Sequence, residues 1–310
     1  DAILFWRAQT QWMGGMGVLV LALALVPKLG EGSVYLMRAE SPGPIKSKLT
    51  PRVGDTAKIL YSIYIGLTVA EALCLRLAGM PWFDSVIHAF TTISTGGFSV
   101  KNASIAAYGS IVIEWIIIIF MFLSGINFAL LFYALRRDYQ AVFQSEELRS
   151  YTLMTAAASG LIAMNLIVHA GQAATFQTVT DSVFQVVTLM TTTGYMTKDY
   201  VLWPTFSQVV LILVMFAGGC AGSTAGGIKQ IRLVLLCKNL HREVQRILHP
   251  RVVKTLDSDG DRVEEATLSG ISLFFFAYIL LLLLGTLVVA WDDVGFTAAF
   301  TGALTCISNV

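Results

Sequence analysis

Charge is scarce in this sequence. Only 13% of its 310 residues are Asp, Glu, Lys or Arg, where a soluble domain carries about a quarter. An ordinary water-facing surface is therefore excluded. Cysteine is nearly missing too. Cys74, Cys220, Cys237 and Cys306 are scattered through apolar sequence, with no C-x-x-C or Cys/His spacing. Neither a disulfide framework nor a thiolate metal site is expected, and the cysteines read as small buried residues. Histidine is rare and isolated, at His88, His169, His241 and His249. No H-E-x-x-H, G-x-S-x-G or Ser–His pairing occurs, so the chain is not expected to be an enzyme and no cofactor is implied. The run GSTAGGIK is not a phosphate-binding loop, because its spacing is wrong and no Ser or Thr follows the Lys.

What is abundant is apolar sequence, 55% of the chain. It comes in blocks near the length that crosses a bilayer, at 12–27, 59–80, 109–135, 151–170, 205–221 and 268–291. The net charge of +1 matters less than its placement. Basic residues crowd three connectors: 28–58 (Lys28, Arg38, Lys46, Lys48, Arg52, Lys58), 136–150 (Arg136, Arg137, Arg149) and 229–266 (Lys229, Lys238, Arg242, Arg246, Arg251, Lys254 and Arg262, among others). The alternate connectors hold little base beyond Lys101 and Lys198. The positive-inside rule puts the basic connectors in the cytoplasm. Basic runs that flank apolar blocks are membrane-topology signals, and no nucleic-acid partner is expected. The partner they imply is the lipid bilayer.

The alternate connectors carry a repeat. Residues 83–99 read FDSVIHAFTTISTGGFS and residues 180–196 read TDSVFQVVTLMTTTGYM. Each has a glycine thirteen places after its Asp (Asp84, Asp181), followed by an aromatic: Gly97-Phe98 and Gly194-Tyr195. The segment FTAAFTGALTCISNV at 296–310 lays onto the same frame and stops at Asn309-Val310, one residue short of the glycine. Each repeat begins with about eleven apolar residues, too short to cross a bilayer and suited to a re-entrant half-helix. Irregular backbone at membrane depth is tolerated where it is buried in protein or lines a water-filled cavity. The half-helix C-terminus carries partial negative charge that favours a cation. The carbonyls of the following loop can replace that ion's water. Glycine there permits backbone conformations closed to other residues. The candidate ion-binding residues are Thr95, Gly96, Gly97, Phe98, Thr192, Thr193, Gly194, Tyr195, Asn309 and Val310, with spacing from Asp84 favouring Gly97 over Gly96. A polar interhelical turn remains the alternative.

The span within 206–240 is interrupted by Gly218, Gly219, Gly222, Gly226 and Gly227, with Ser223 and Thr224 among them. Glycine costs a helix about 1 kcal/mol relative to Ala, so the segment is expected to unwind into an intramembrane gating loop. A small-residue packing face is the alternative, since Gly218, Gly222 and Gly226 fit that spacing. Lys229 and Arg232 follow, either as markers of the cytoplasmic interface or as anchors for the loop. Residues 238–254 either continue the helix toward a cytoplasmic partner or end it in lipid. Glu71 and Glu114 lie in or near spans, and packing or interface roles are favoured over ion coupling for both.

The fold expected is all-α and membrane-spanning, in units of span, half-helix, filter loop and span. Four such units would surround one axis, a pseudo-fourfold repeat. The chain would hold the end of unit 1 (1–56), unit 2 (57–147), unit 3 with its broken second span (148–266) and the start of unit 4 (267–310). An opening at Asp1 without Met and a close inside a motif are expected of an internal fragment.

Six segments together resemble the Trk/Ktr/HKT superfamily of potassium transporters, most closely its bacterial TrkH-type subunits. They are QWMGGMGVLVLALALVP, RAESPGPIKSKLTPR, TTISTGGFS, TTTGYMT, GGCAGSTAGGIKQIR and LHPR. The resemblance covers essentially the whole chain in the family's order. It implies potassium uptake across the bacterial inner membrane by a multi-pass, channel-like pore. Gly97 and Gly194 would be the filter glycines of units 2 and 3, and Gly218–Gly227 the gating loop. It also implies a homodimer and a cytoplasmic nucleotide-binding (RCK-type) ring. A secondary transporter driven by a H⁺ or Na⁺ gradient is the competing reading. It would predict inverted repeats, whereas these lie on one predicted side.

Overall fold

The computed structural model describes residues 2–15, 53–249 and 255–310. The basic connector 28–58 up to residue 52, with its Ser41–Pro44 turn, lies outside the described residues, as do Pro250 and Arg251 of LHPR. So does most of the predicted first span, 12–27. The described part is mostly helical. In chain order it holds α1 (Ala2–Gly15), α2 (Val53–Leu77), α3 (Trp82–Ile93), α4 (Ile111–Ser124), α5 (Phe128–Leu135), α6 (Tyr139–Gln144), α7 (Glu146–His169) and α8 (Phe176–Met190). There follow α9 (Thr205–Ala217), α10 (Gln230–Leu248), a hairpin of β1 (Asp257–Ser258) and β2 (Asp261–Arg262), α11 (Glu265–Ala290) and α12 (Phe296–Ser308).

Among the described residues, three helices are long and apolar enough to cross a membrane: Lys58–Leu77 of α2, Glu146–His169 and Glu265–Ala290. Helices α4 and α5 meet that standard together but bend by 103° at their junction. The single span predicted over 109–135 is thus two helices. The break has a local cause. Asn127 caps α5, its side chain accepting from the Ala129 N–H at 2.9 Å. Gly125 and Phe128 spend their backbone groups elsewhere, the Gly125 carbonyl accepting from the Cys220 N–H (2.9 Å) and the Phe128 N–H donating to the Gly222 carbonyl (3.1 Å). Helix α1 begins ten residues before the predicted first span. Arg7, Gln9 and Gln11 hide it by interrupting the apolar run. Arg7 lies over the Phe98 ring at 4.4 Å and donates to the Ser99 carbonyl at 3.1 Å, so its charge faces protein.

Helices α3, α8 and α12 are the short elements the repeat predicts. Each packs against neighbouring helices, α3 on α2 and α1, α8 on α7 and α4, and α12 on α11 and α9. Several of their hydroxyls are satisfied within the helix: Thr91 donates to the Ile87 carbonyl (3.0 Å), Thr191 to Val187 (2.7 Å) and the half-buried Thr305 to Thr301 (2.8 Å). Such self-satisfaction is what burial away from water demands of a polar side chain. Helix α10 runs unbroken to Leu248, so the basic segment after Lys238 continues the helix.

Candidate functional site

Each short helix ends in the same hydrogen-bonded turn. The Thr91 carbonyl accepts from the N–H groups of Gly96 (2.7 Å) and Gly97 (3.2 Å), and the Thr188 carbonyl from Thr193 (2.8 Å) and Gly194 (3.2 Å). The Thr305 carbonyl accepts from the Val310 N–H at 3.1 Å. These bonds are the 6→1 closure of a Schellman cap, whose left-handed residue is usually glycine. Here Thr95 (φ 54°), Thr192 (φ 55°) and Asn309 (φ 61°) take that position. Asn tolerates it, but a β-branched Thr is strained there. Two residues further on, Gly97 has φ 65° and Gly194 φ 86°, while Gly96 has no positive φ. Gly97 is therefore the structural counterpart of Gly194.

The three loops meet. A Cβ on Gly97 would lie 1.7 Å from the Thr193 carbonyl oxygen, and one on Gly194 would lie 3.4 Å from the Val310 carbonyl carbon. Behind them, Tyr195 is buried and binds across to α3. Its hydroxyl shares a hydrogen bond with Thr91 (2.6 Å), accepts from Thr92 (3.3 Å) and donates to the His88 carbonyl (3.2 Å). The fully buried Glu71 lies by Thr92 and Tyr195. On the other limb, Lys101 pairs with Asp84 and Lys198 with Asp181, each at 3.9 Å, the same strut in both repeats. Glu114 accepts from Gln177 at 3.4 Å, and Gln177 also donates to Asp181 at 2.8 Å. Tyr195→Phe should destabilise the folded full-length protein by about 1–2 kcal/mol, because the buried Thr91 and Thr92 hydroxyls lose a hydrogen-bond partner. Thermal unfolding in detergent reads this. An unchanged midpoint would mean that the hydroxyl network adds no stability.

Between α9 and α10 the chain leaves the helix at Ala217 and resumes it at Gln230. Gly218, Gly222 and Gly226 are therefore not on one helix face, which overturns the small-residue packing alternative. The intervening loop touches the end of every short helix. Thr224 donates from its hydroxyl to the Ile93 carbonyl (2.9 Å), and Thr95 donates to the Thr224 carbonyl (2.9 Å). The Gly226 N–H donates to the Thr192 hydroxyl (2.6 Å) and the Gly227 N–H to the Ser308 carbonyl (3.1 Å). The loop also closes on itself: a Cβ on Gly218 would meet the Gly226 oxygen at 2.4 Å, and one on Gly219 would meet Ala225 Cβ at 2.5 Å. Ser223 donates to the Cys220 carbonyl at 2.6 Å. Lys229 donates to the Ala225 (2.7 Å) and Ser223 (3.4 Å) carbonyls, the anchoring arrangement. Arg232 bonds the Ile228 carbonyl at 3.1 Å and lies 3.8 Å over the Phe274 ring. Among the described residues, no group of three or more His, Cys, Asp or Glu could hold a metal ion.

The TrkH family model, described as a cation transport protein, matches residues 1–310. The chain belongs to the TrkH family. It is 40% identical over 311 residues to the Trk system potassium uptake protein TrkH of Salmonella typhimurium, covering all of this chain and 64% of that one. It is 36% identical over 313 residues to the Trk system potassium uptake protein TrkG of Escherichia coli K12, again covering 64% of it. The crystal structure of the potassium transporter TrkH from Vibrio parahaemolyticus matches with a TM-score of 0.85 and 34% identity, over 99% of this chain and 63% of that one. This TrkH-family chain thus spans a little under two thirds of the length of the curated relatives it matches. Those relatives are named as potassium uptake proteins rather than enzymes, and the chain is a cation-transporter homologue with a TrkH-like fold.

Two residues of this TrkH-family site escaped the sequence reading. Asn127 faces Gly222, where an added Cβ would lie 3.1 Å from the Asn127 Oδ1. Glu147 is buried and accepts hydrogen bonds from two loop-flanking backbone N–H groups. Asn at the start of the apolar run 128–135 is a cap signal that could have exposed the first. Glu147 carries no such signal, because an acidic residue in a first turn reads as an ordinary dipole partner.

Proposed function

We propose that the full-length protein takes up potassium across the bacterial inner membrane through a channel-like pore. The observation that carries this reading is the loop 218–229, hydrogen-bonded to the ends of all three short helices. A strand of backbone pressed against three convergent half-helix ends has the position of a gate beneath a filter. The filter would be made by the carbonyls of Thr95–Phe98, Thr192–Tyr195 and Asn309–Val310, with K⁺ as the transported substrate. The repeated turns and struts support a pseudo-fourfold arrangement of units, divided at 1–56, 57–147, 148–266 and 267–310. Gly218–Gly227 would be the gating loop, held by Lys229 and Arg232. The family's assembly, a homodimer on a cytoplasmic nucleotide-binding ring, is the setting this reading implies.

One glycine per loop offers few stacked carbonyl rings, so selectivity should be modest. Reversal potentials of the reconstituted full-length protein in mixed K⁺ and Na⁺ test this. A preference for K⁺ with measurable Na⁺ permeation is expected, and strict exclusion of Na⁺ counts against it. Rubidium uptake in a potassium-uptake-deficient bacterium should follow the electrical gradient. Uptake that requires a proton or Na⁺ gradient would favour the coupled transporter instead.

A further inference from the structure

The break between α9 and α10 is held at both ends by one side chain. Glu147 stands in the first turn of α7 and is 6% exposed. Its Oε1 accepts from the Ala221 N–H at 2.6 Å and from the Ile231 N–H at 3.1 Å. Ala221 lies near the start of the loop and Ile231 in the first turn after it. A single oxygen therefore fixes the distance between the two ends. The Gln230 side chain adds a second tie, donating to the Ser150 hydroxyl at 2.9 Å.

We propose that Glu147 is the positioning residue that holds loop 218–229 in its closed shape, acting as a carboxylate staple across the helix break. A carboxyl oxygen can accept both bonds at once, because it carries two lone pairs. Both N–H groups are left over by the break, since neither belongs to a continuing helix ladder. The carboxylate sits at the N-terminus of α7, where the helix dipole favours negative charge. Lys229 on the same loop and Asp259 between β1 and β2 both lie near this carboxyl group.

The staple also has an attachment on the cytoplasmic side. Lys238 of α10 forms an ion pair with Glu146 and donates to the Asp257 carbonyl at 2.8 Å. The Glu146 N–H donates to Asp259 Oδ1 at 2.7 Å. The first turn of α7 is thus tied to the loop, to α10 and to the hairpin. Movement of α10 relative to α7 would strain the Ile231 contact together with the Gln230–Ser150 and Lys238–Glu146 ties.

The proposal rests on the gate reading only for its effect on ion flow. The shape of the loop can be read separately, because Cys220 is fully buried beside Ala221. The test uses the full-length protein in membrane vesicles, with Cys220 as the only cysteine. The rate of maleimide labelling is measured for wild type, Glu147→Ala and Glu147→Gln, with rubidium leak measured in parallel. Glu147→Ala should label Cys220 roughly tenfold faster or more, the ratio expected when two ordinary buried hydrogen bonds are lost. Glu147→Gln keeps an acceptor in place and should restore protection to within about threefold of wild type, since its neutral bonds are weaker. A role in folding alone would lower protein level without this rescue. If Glu147→Ala does not accumulate, Glu147→Asp, one methylene shorter, should label faster than wild type. Equal labelling of wild type and the Ala or Asp variant overturns the proposal. Faster labelling without rubidium leak supports the staple and counts against the loop as a gate.

Discussion

Gly97→Ala is expected to abolish rubidium uptake by the full-length protein in a potassium-uptake-deficient bacterium. Two costs act together. Gly97 has φ 65°, a conformation closed to most side chains. Holding alanine there costs about 1–2 kcal/mol, worth roughly tenfold in the population of the native turn. The added Cβ would also lie 1.7 Å from the Thr193 carbonyl oxygen, inside covalent-like range. That oxygen belongs to the neighbouring loop, so relief must displace one loop from the other. Both are proposed to line the filter. Gly194→Ser should be milder, since a Cβ there meets the Val310 carbonyl carbon at 3.4 Å, an ordinary contact. The backbone strain remains, at φ 86°. Reduced uptake with more Na⁺ admitted is the expected result for Gly194→Ser. Wild-type uptake and selectivity in both variants would return these segments to plain interhelical turns.

Gly226→Ala is expected to have the opposite signature: higher rubidium flux with unchanged preference for K⁺ over Na⁺. Gly226 has no positive φ, so backbone strain plays no part. The effect is contact alone. A Cβ would lie 2.1 Å from the Ser308 carbonyl oxygen, and helix α12 cannot easily yield because Ser308 is tied to Tyr278 by a 2.7 Å hydrogen bond. The loop must move, losing the bonds from Gly226 to Thr192 and from Gly227 to Ser308. At about 1 kcal/mol each, two such bonds correspond to a rise in the displaced population of roughly tenfold or more. Single-channel or flux recordings that found lower flux, or altered selectivity, would show that the loop shapes the ion path rather than closing it. The two variants separate filter from gate, because one changes which ion passes and the other how many.

Much of the site was legible because it is local. The spacing of thirteen residues from Asp84 to Gly97 and from Asp181 to Gly194 repeats in the chain itself. A half-helix of apolar residues ending in Thr and Gly encodes its own cap. The break inside 206–240 was also readable, since five closely placed glycines weaken any helix. The choice between a loop and a glycine packing face was not, because both use small residues. It turned on whether Gly218–Gly227 had better partners outside a helix, and those partners are Ile93, Thr192 and Ser308.

The junction at Gly125–Asn127 was missed for a related reason. The sequence 109–135 is apolar apart from a few residues such as Glu114, Ser124 and Asn127, and hydropathy does not register a bend. The bend exists because the Cys220 and Gly222 backbones take over bonds that a straight helix would use. The start of α1 was missed because Arg7 looks like a span boundary, while its true partners are Phe98 and Ser99, ninety residues away.

By itself, then, the sequence determined the class, the apolar elements, the repeat and the glycines that free the backbone. These follow from periodicity and residue type, which act over a few turns. Only the tertiary structure decided that the three loops abut and that the broken span bonds to all three helix ends. It also decided that one carboxylate, Glu147, joins the two sides of that break. Buried backbone groups released from a helix must find acceptors and donors wherever packing brings them, and that pairing is set by long-range contact rather than by neighbours in the chain.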